Sequence, residues 1–297
     1  MAQQLLDDLK ICLNQDINDK NVISDIRNII KLLVKQTRQA YSQKDFYLID
    51  DITKTVIQFG TTISIMKERI ILVIGYIVGI FYHARNYKEA IDCVSSYFNK
   101  IDYNLFINER DRGIFGYCYG LISVKIGNYK GAAEALEKAY LVANDKFKKQ
   151  ILMYLVPLKL RCGMYLPMEE MKKYGNKILI DLSNAVNRGD VSLYEKVINK
   201  YDLEFVQIGI LELVETLRLI VYRNLLEIIF TTKKTTKLHL QVIIDTLISL
   251  GVTEISLVDI ANILTNMALN GILIGAVYIG MKAIAASPTN PLRFYQY

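Results

Sequence analysis

Tryptophan is absent from these 297 residues, proline occurs only 4 times and glycine 16 times. So few breakers exclude a loop-rich chain and suit long helices. Histidine is scarce too, with only His83 and His239. The four cysteines, Cys12, Cys93, Cys118 and Cys162, are scattered and form no CxxC pair. Together these absences exclude zinc-finger spacing, so no metal site is expected. Thiols placed in this way fit a reducing compartment, and most read as buried small hydrophobes. No GxSxG, HExxH, Walker loop or GxGxxG occurs. A Ser-His-Asp set would need His83 or His239. The first ends an apolar helix and reads as packing or surface; the second reads as an exposed histidine, with phosphate contact as the alternative. The acid pairs Asp7-Asp8, Asp50-Asp51 and Glu169-Glu170 are sequence neighbours, which point in different directions on a helix and do not share a proton. The expectation is a protein that is not an enzyme, with no catalytic residue, no cofactor and no small-molecule substrate.

Long hydrophobic runs are also few. Residues 70–82 are apolar and uncharged but too short to cross a bilayer. Residues 260–281 are long enough, yet they contain Asn262, Thr265, Asn266 and Asn270, and Asn270-Gly271 breaks them. A helix ending in a buried hairpin is the expected form, and no membrane partner is expected. Asp7 and Asp8 in the first turns argue against a signal peptide.

What is present is apolar periodicity. The content is 52% hydrophobic and 22% charged, the balance of a folded chain. Ile23, Ile26, Ile29, Ile30, Leu33 and Val34 make one stripe of a helix over residues 22–41. Asp45 is a cap for a helix to about residue 59, and Thr61 or Thr62 for the next. Ser192 with Glu195, and Ser256 with Asp259, have capping-box spacing. A helix over 209–230 is expected to bury Leu211, Val214, Leu217, Ile220, Val221, Leu225 and Ile228. The polar break TTKKTTK, residues 231–237, reads as a surface connection.

The last sixty residues have an order of their own. A helix is expected over 238–250 and a capped one over 256–270. Gly271 stops it, and an apolar ribbon follows over 272–286. Helix, helix, two-stranded wing is the order of a winged helix. Gly280-Met281 between Ile279 and Lys282 suits a type II′ turn. Gly275 suits a bend or close contact in the first strand.

The middle of the chain repeats. Arg85-Asn86-Tyr87-Lys88-Glu89-Ala90 matches Gly127-Asn128-Tyr129-Lys130-Gly131-Ala132 at a spacing of 42 residues. A tight turn, an aromatic and an alanine at the crossing resemble a tetratricopeptide repeat with a stretched period. Such helix pairs bury their apolar faces by stacking. The expected fold is mainly α: a TPR-like right-handed helical solenoid over residues 1–230, then a winged helix with a C-terminal tail over 231–297.

Net charge is +6, a mild lean toward polyanions. Lys233, Lys234 and Lys237 before the winged unit, Lys282 on the wing and Arg293 in the tail are candidate phosphate contacts, without sequence preference. The second helix of that unit carries no Lys or Arg, which makes it a poor reader of the major groove. Arg218 and Arg223, five residues apart on one helix, have two readings: gripping phosphate or clamping carboxylates; Arg218 is placed with the nucleic-acid candidates, and Arg223, with apolar neighbours, is read as structural. A second basic region runs from Lys146 to Lys177. A solvated face is its bland reading.

Several stretches resemble one family. Leu155-Val156-Pro157-Leu158-Lys159, Arg161-Cys162-Gly163 and Ala185-Val186-Asn187-Arg188-Gly189-Asp190 are similar to the central region of PCI-domain proteins. Arg218 to Leu225 resembles the arginine-bearing helix that leads into their winged helix. Met267-Ala268-Leu269-Asn270-Gly271, Ile274-Gly275-Ala276-Val277-Tyr278 and Ser287-Pro288-Thr289-Asn290-Pro291 resemble the wing and tail of one branch. That branch is the PCI subunit of transcription and export complex 2 with its signalosome-12-like relatives. The resemblance places a PCI domain at roughly 110–290. The first eighty residues align with little, and the chain is short for this branch.

The resemblance implies a nuclear scaffold subunit in mRNA export, located at the nuclear pore with a cytoplasmic fraction allowed. Its implied partners are a larger PCI scaffold protein of the GANP type, a small acidic protein of the Dss/Sem type, and RNA or DNA. For the acidic partner the expected surface comprises Lys146, Lys148, Lys149, Lys172 and Lys173, with Tyr154, Tyr165 and Tyr174 exposed among them. A PCI subunit of another assembly (signalosome-like, splicing-linked or proteasome-lid) is the alternative.

Overall fold

A computed structural model describes residues 2–13, 15, 20–50, 52–54, 79–80 and 109–295. The helix capped by Thr61 or Thr62, most of the apolar run 70–82, His83, Cys93 and the repeat copy at 85–90 lie outside the described residues. The fold is mainly helical, as the sequence leads one to expect. The chain divides into two compact units, Met1–Ile151 and Leu152–Tyr297. That division differs from the boundary at 230/231 read from the sequence, because residues 231–297 cluster with the helices from Leu152 onward. No helix among the described residues is long and apolar enough to cross a membrane.

In the first unit, helix α1 (Ala2–Leu13) packs on α2 (Lys20–Gln43). The inward side of α2 includes Val22, Leu33, Thr37 and Ala40, all buried. Asp45 accepts from the Leu48 amide at 3.0 Å, the expected cap. Helices α3 (Glu109–Lys125) and α4 (Tyr129–Val142) form a close pair. A Cβ on Gly116 would stand 2.8 Å from the Ala135 carbonyl oxygen, and one on Gly120 2.5 Å from Leu136 Cγ. Gly116 faces Ala135 and Ala139 and Gly120 faces Leu136, all buried, so the glycines set the approach of the two helices. The α3–α4 turn uses Gly127 at φ 75° and Asn128, whose side chain accepts from the Gly131 amide. This is the second copy of the repeat read from the sequence. Cys12, Cys118 and Cys162 are half-buried rather than buried.

Helix α5 (Asp145–Arg161) is followed by α6 (Met168–Tyr174), α7 (Lys177–Arg188), α8 (Val191–Ile208) and α9 (Leu211–Lys233). Helices α7, α8 and α9 pack mutually. The cap of α8 is a correction: Asp190, not Ser192, accepts from the Leu193 amide at 2.9 Å. The carboxylate at the turn reaches the free amide first, and Glu195 is left to pair elsewhere. On α9, Val214, Leu217, Ile220, Val221 and Leu225 are buried as expected, but Leu211 is half-buried, its place taken by Leu213, and Ile228 is 49% exposed. Ile229 and Phe230 take the inward positions at that end.

The last part holds β1 (Lys237–His239), α10 (Leu240–Ser249), α11 (Leu257–Leu269), β2 (Gly275–Tyr278) and β3 (Ala283–Ala286). The sheet is antiparallel and three-stranded, in the order β1-β3-β2. Two expectations are corrected here. The ribbon gains β1, because Lys237-Leu238-His239 alternates exposed, buried, exposed, so α10 starts at Leu240 rather than 238. The β2–β3 connection is not a two-residue type II′ turn. Four residues, 279–282, form overlapping turns in which Met281 N–H donates to Tyr278 O and Lys282 N–H to Ile279 O. Lys282, not Gly280, takes the positive φ, at 49°. The Ser256–Asp259 capping box on α11 is present in full, and Gly271 ends that helix at φ 68°. A Cβ on Gly275 would stand 2.4 Å from the Ala285 carbonyl oxygen, the close contact expected of that position.

Candidate functional site

The basic edge is built from the end of α9, strand β1 and the sheet loops. Lys234 ends α9 in the left-handed region, at φ 54°. Its amide donates back to Phe230 O. Thr235 Oγ1 accepts from the Lys237 amide at 3.1 Å, and Ala286 N–H donates to Thr236 O. These bonds carry the chain straight from the helix into β1. Lys233, Lys234, Lys237 and Lys282 are all exposed. Lys234 and Lys237 line one open groove of about 450 Å³ with Phe230, Thr231, Thr235, Thr236 and Pro288. Lys282 lies beside Ala283, which pairs with His239 in β1, and its carbonyl accepts from the Leu240 amide at 2.8 Å. His239 is exposed and stands at the N-cap of α10. Arg293 is exposed, and its amide donates to Ile272 O at 2.7 Å.

The two arginines of α9 have separate surroundings. Arg218 reaches Glu195 on α8, with Nε 3.1 Å from Oε1, and Glu215 one turn before it, at 3.3 Å. Its guanidinium faces carboxylates. Burial raises the Glu195 carboxyl above the usual range, Arg218 opposes that, and Glu215 adds to it. Arg223 is 7% exposed. It pairs with Glu227, donates to Asn224 Oδ1 at 3.0 Å, and lies 3.9 Å over the Phe294 ring. Asn224 in turn donates to Val186 O at 2.7 Å and to the Tyr165 hydroxyl at 3.3 Å.

The C-terminal tail closes this layer. Leu292 bridges Leu273, and Ile274 N–H donates to Pro291 O. Phe294 fits over Gly163, where a Cβ would stand 2.5 Å from its ring. Arg161 sits 3.6 Å over the Tyr295 ring. Sequence reasoning passed over Phe294 and Tyr295. The signal was two aromatics at the end of a chain with arginines to stack on, which no local pattern pairs up.

The second basic region is divided. Lys146, Lys148 and Lys149 belong to the first unit, and Lys172 and Lys173 to the second. Lys146, Lys149, Lys172 and Lys173 are exposed, while Lys148 lies over the Tyr140 ring at 5.0 Å. The expectation of exposed tyrosines is corrected for two of three. Tyr154 is 8% exposed and donates to Ile208 O at 3.2 Å. Tyr174 is 9% exposed, facing inward on α6 with Met171. Both are apolar rings with a hydroxyl tip, and here packing claims the ring. Tyr165 is 42% exposed. Its hydroxyl is raised by partial burial, against the Asn224 hydrogen bond.

Among the described residues, no group of three or more His, Cys, Asp or Glu is placed to hold a metal ion.

No family model matches the chain. It is similar to the PCI domain-containing protein 2 homolog of Drosophila melanogaster, at 30% identity over 181 residues, 60% of this chain and 46% of the relative. PCI domain-containing protein 2 of Xenopus laevis is 27% identical over 183 residues, 61% and 46% of the two chains. The Dictyostelium discoideum homolog is 30% identical over 176 residues, 58% and 40%. The matched part spans less than half the length of these curated relatives. All three relatives are named for a PCI domain.

Proposed function

We propose that this protein is a non-enzymatic PCI scaffold subunit of a nuclear mRNA-export assembly of the transcription and export complex 2 type. In this reading a TPR-like right-handed solenoid, residues 1–230, carries a winged-helix head at 231–297, and the PCI domain covers roughly 110–290. The observation that carries it is the similarity to proteins named PCI domain-containing protein 2. The order of α9, β1, α10, α11 and the small sheet, with an exposed basic edge, supports the same reading.

The head pairs with a larger PCI protein of the GANP type. RNA or DNA lies along Lys233, Lys234, Lys237, Lys282 and Arg293, through phosphate contacts that carry no sequence information. Arg218 stays with its two carboxylates in the free chain and meets phosphate only if they are displaced. A Dss/Sem-type acidic protein is held on the second unit by Lys172 and Lys173, with Tyr165 as its aromatic contact.

Co-expression with candidate GANP-type and Dss-type proteins, followed by size exclusion, tests the partners. A stable ternary complex is expected, and separate elution of all three contradicts the reading. With the complex in hand, Lys233→Glu, Lys234→Glu and Lys237→Glu together are expected to weaken single-stranded RNA binding and to flatten its salt dependence. Unchanged affinity and slope would remove those lysines from the site.

A further inference from the structure

The solvent face of the sheet is assembled in two cross-strand rows. One row is His239, Ala283, Tyr278; the other is Lys237, Ala285, Ala276. Residues directly opposite on antiparallel strands put their side chains on one face. The burial agrees: Leu238 and Ile284 are buried, whereas Lys237, His239, Ala276 and Tyr278 are exposed. The central strand offers only methyl groups here. An imidazole and a phenol therefore flank a low floor, on strands about 10 Å apart. Lys282 adjoins this floor at the β2–β3 loop.

The charge around the face has one sign. Residues 231–239 and 271–295 hold Lys233, Lys234, Lys237, Lys282 and Arg293, and no Asp or Glu. The outward stripe of α11 differs: Val258, Asn262, Thr265, Asn266 and Leu269 are exposed, and none is a cation. Duplex DNA is commonly read by a helix that enters the major groove between two rows of phosphates. No cation on α11 would meet those phosphates. A single strand asks for aromatic faces for its bases and cations beside its backbone, and the sheet face offers both.

We propose that the solvent face of the β1-β3-β2 sheet binds single-stranded nucleic acid, with bases stacked on Tyr278 and His239 and phosphates met by Lys237 and Lys282. The inference rests on the nucleic-acid half of the function proposed above. It adds the form of the nucleic acid and the residues that hold its bases.

Fluorescence anisotropy on the full chain, across a salt series, tests it. The probes are oligo(U) and oligo(dT) of about 15 nucleotides and a duplex of the same length. At least one single strand is expected to bind more tightly than the duplex. The Tyr278→Ala change is expected to lower single-strand affinity about 5- to 150-fold, the loss of one stacked base, with the salt slope unchanged. Tyr278→Phe keeps the ring and is expected to retain wild-type affinity. Lys237→Glu combined with Lys282→Glu is expected to flatten the slope by about 1.4, two single-strand phosphate contacts. Tyr278 is exposed, so its replacement leaves the fold intact, which circular dichroism checks. Duplex binding as tight as single-strand binding overturns the proposal. So does wild-type affinity in a Tyr278→Ala, His239→Ala double variant, which leaves phosphate binding alone. A Tyr278→Ala protein with altered sedimentation but unaltered affinity would make the face a protein contact and also overturn it. Failure of every probe to bind the wild type, by contrast, overturns the nucleic-acid reading itself.

Discussion

Arg218 and Arg223 stand five positions apart on α9 and meet different fates. Arg218 lies at the surface between Glu195 and Glu215, where an ion pair contributes about 0–1 kcal/mol. The net effect on Glu195 is a raised carboxyl, because burial outweighs the arginine. A raised carboxyl stabilises the fold below its unfolded pKa, and that contribution fades as pH rises through the folded value. Wild type minus Glu195→Gln stability, from urea melts between about pH 3 and 7, is therefore expected to fall as pH rises. A difference that grows with pH would mean the Arg218 pair dominates. Arg223 is enclosed and leans on Glu227, Asn224 and Phe294. Glu227→Gln leaves a buried guanidinium short of its counter-charge, and a loss of about 1–2 kcal/mol is expected, discounted because the glutamate is half in water. Gly163 is at φ 71° under the Phe294 ring. Gly163→Ala is expected to cost at least about 1 kcal/mol and to speed amide exchange in residues 292–295; unchanged exchange would show that the ring does not depend on that gap.

Elements were legible where the signal is local. Ser256 and Asp259 announce α11, Asp45 announces the helical turn after it, and the small residues at Gly127 and Ala132 announce the α3–α4 pair. The misreadings come from competition between neighbours. Ser192 has box spacing with Glu195, but Asp190 precedes it at the turn and takes the amide. Accordingly, Asp190→Ala is expected to cost about 1 kcal/mol and Ser192→Ala close to none; the reverse order would restore the box. Strand β1 has only three residues, and its sequence also suits a helix start. Its pairing with β3 lies more than forty positions away and leaves no local mark. The β2–β3 loop fooled the turn rule because Lys282, rather than glycine, adopts the positive φ.

At the scale of the whole molecule, the helical class followed from few prolines, few glycines and periodic apolar stripes. The basic edge was half legible. Lys233, Lys234 and Lys237 stand in a polar break that any reading marks as surface. The placement of Lys237 on one face with Tyr278 and His239 depends on sheet register. Tyr154 and Tyr174 were misplaced because a tyrosine in a basic stretch looks the same in sequence whether its ring packs or points to water. The break between units at Ile151/Leu152 falls within the range of α5 and has no composition shift to reveal it. The claim on which the account turns is that this chain works as a scaffold in an mRNA-export assembly. Affinity purification of the tagged chain from its own cells, with mass spectrometry of what co-purifies, tests it most directly. Recovery of a larger GANP-type PCI protein with a small acidic Dss/Sem-type protein is the expected result. Recovery of signalosome, splicing or proteasome-lid subunits instead, or of no PCI partner at all, would contradict it.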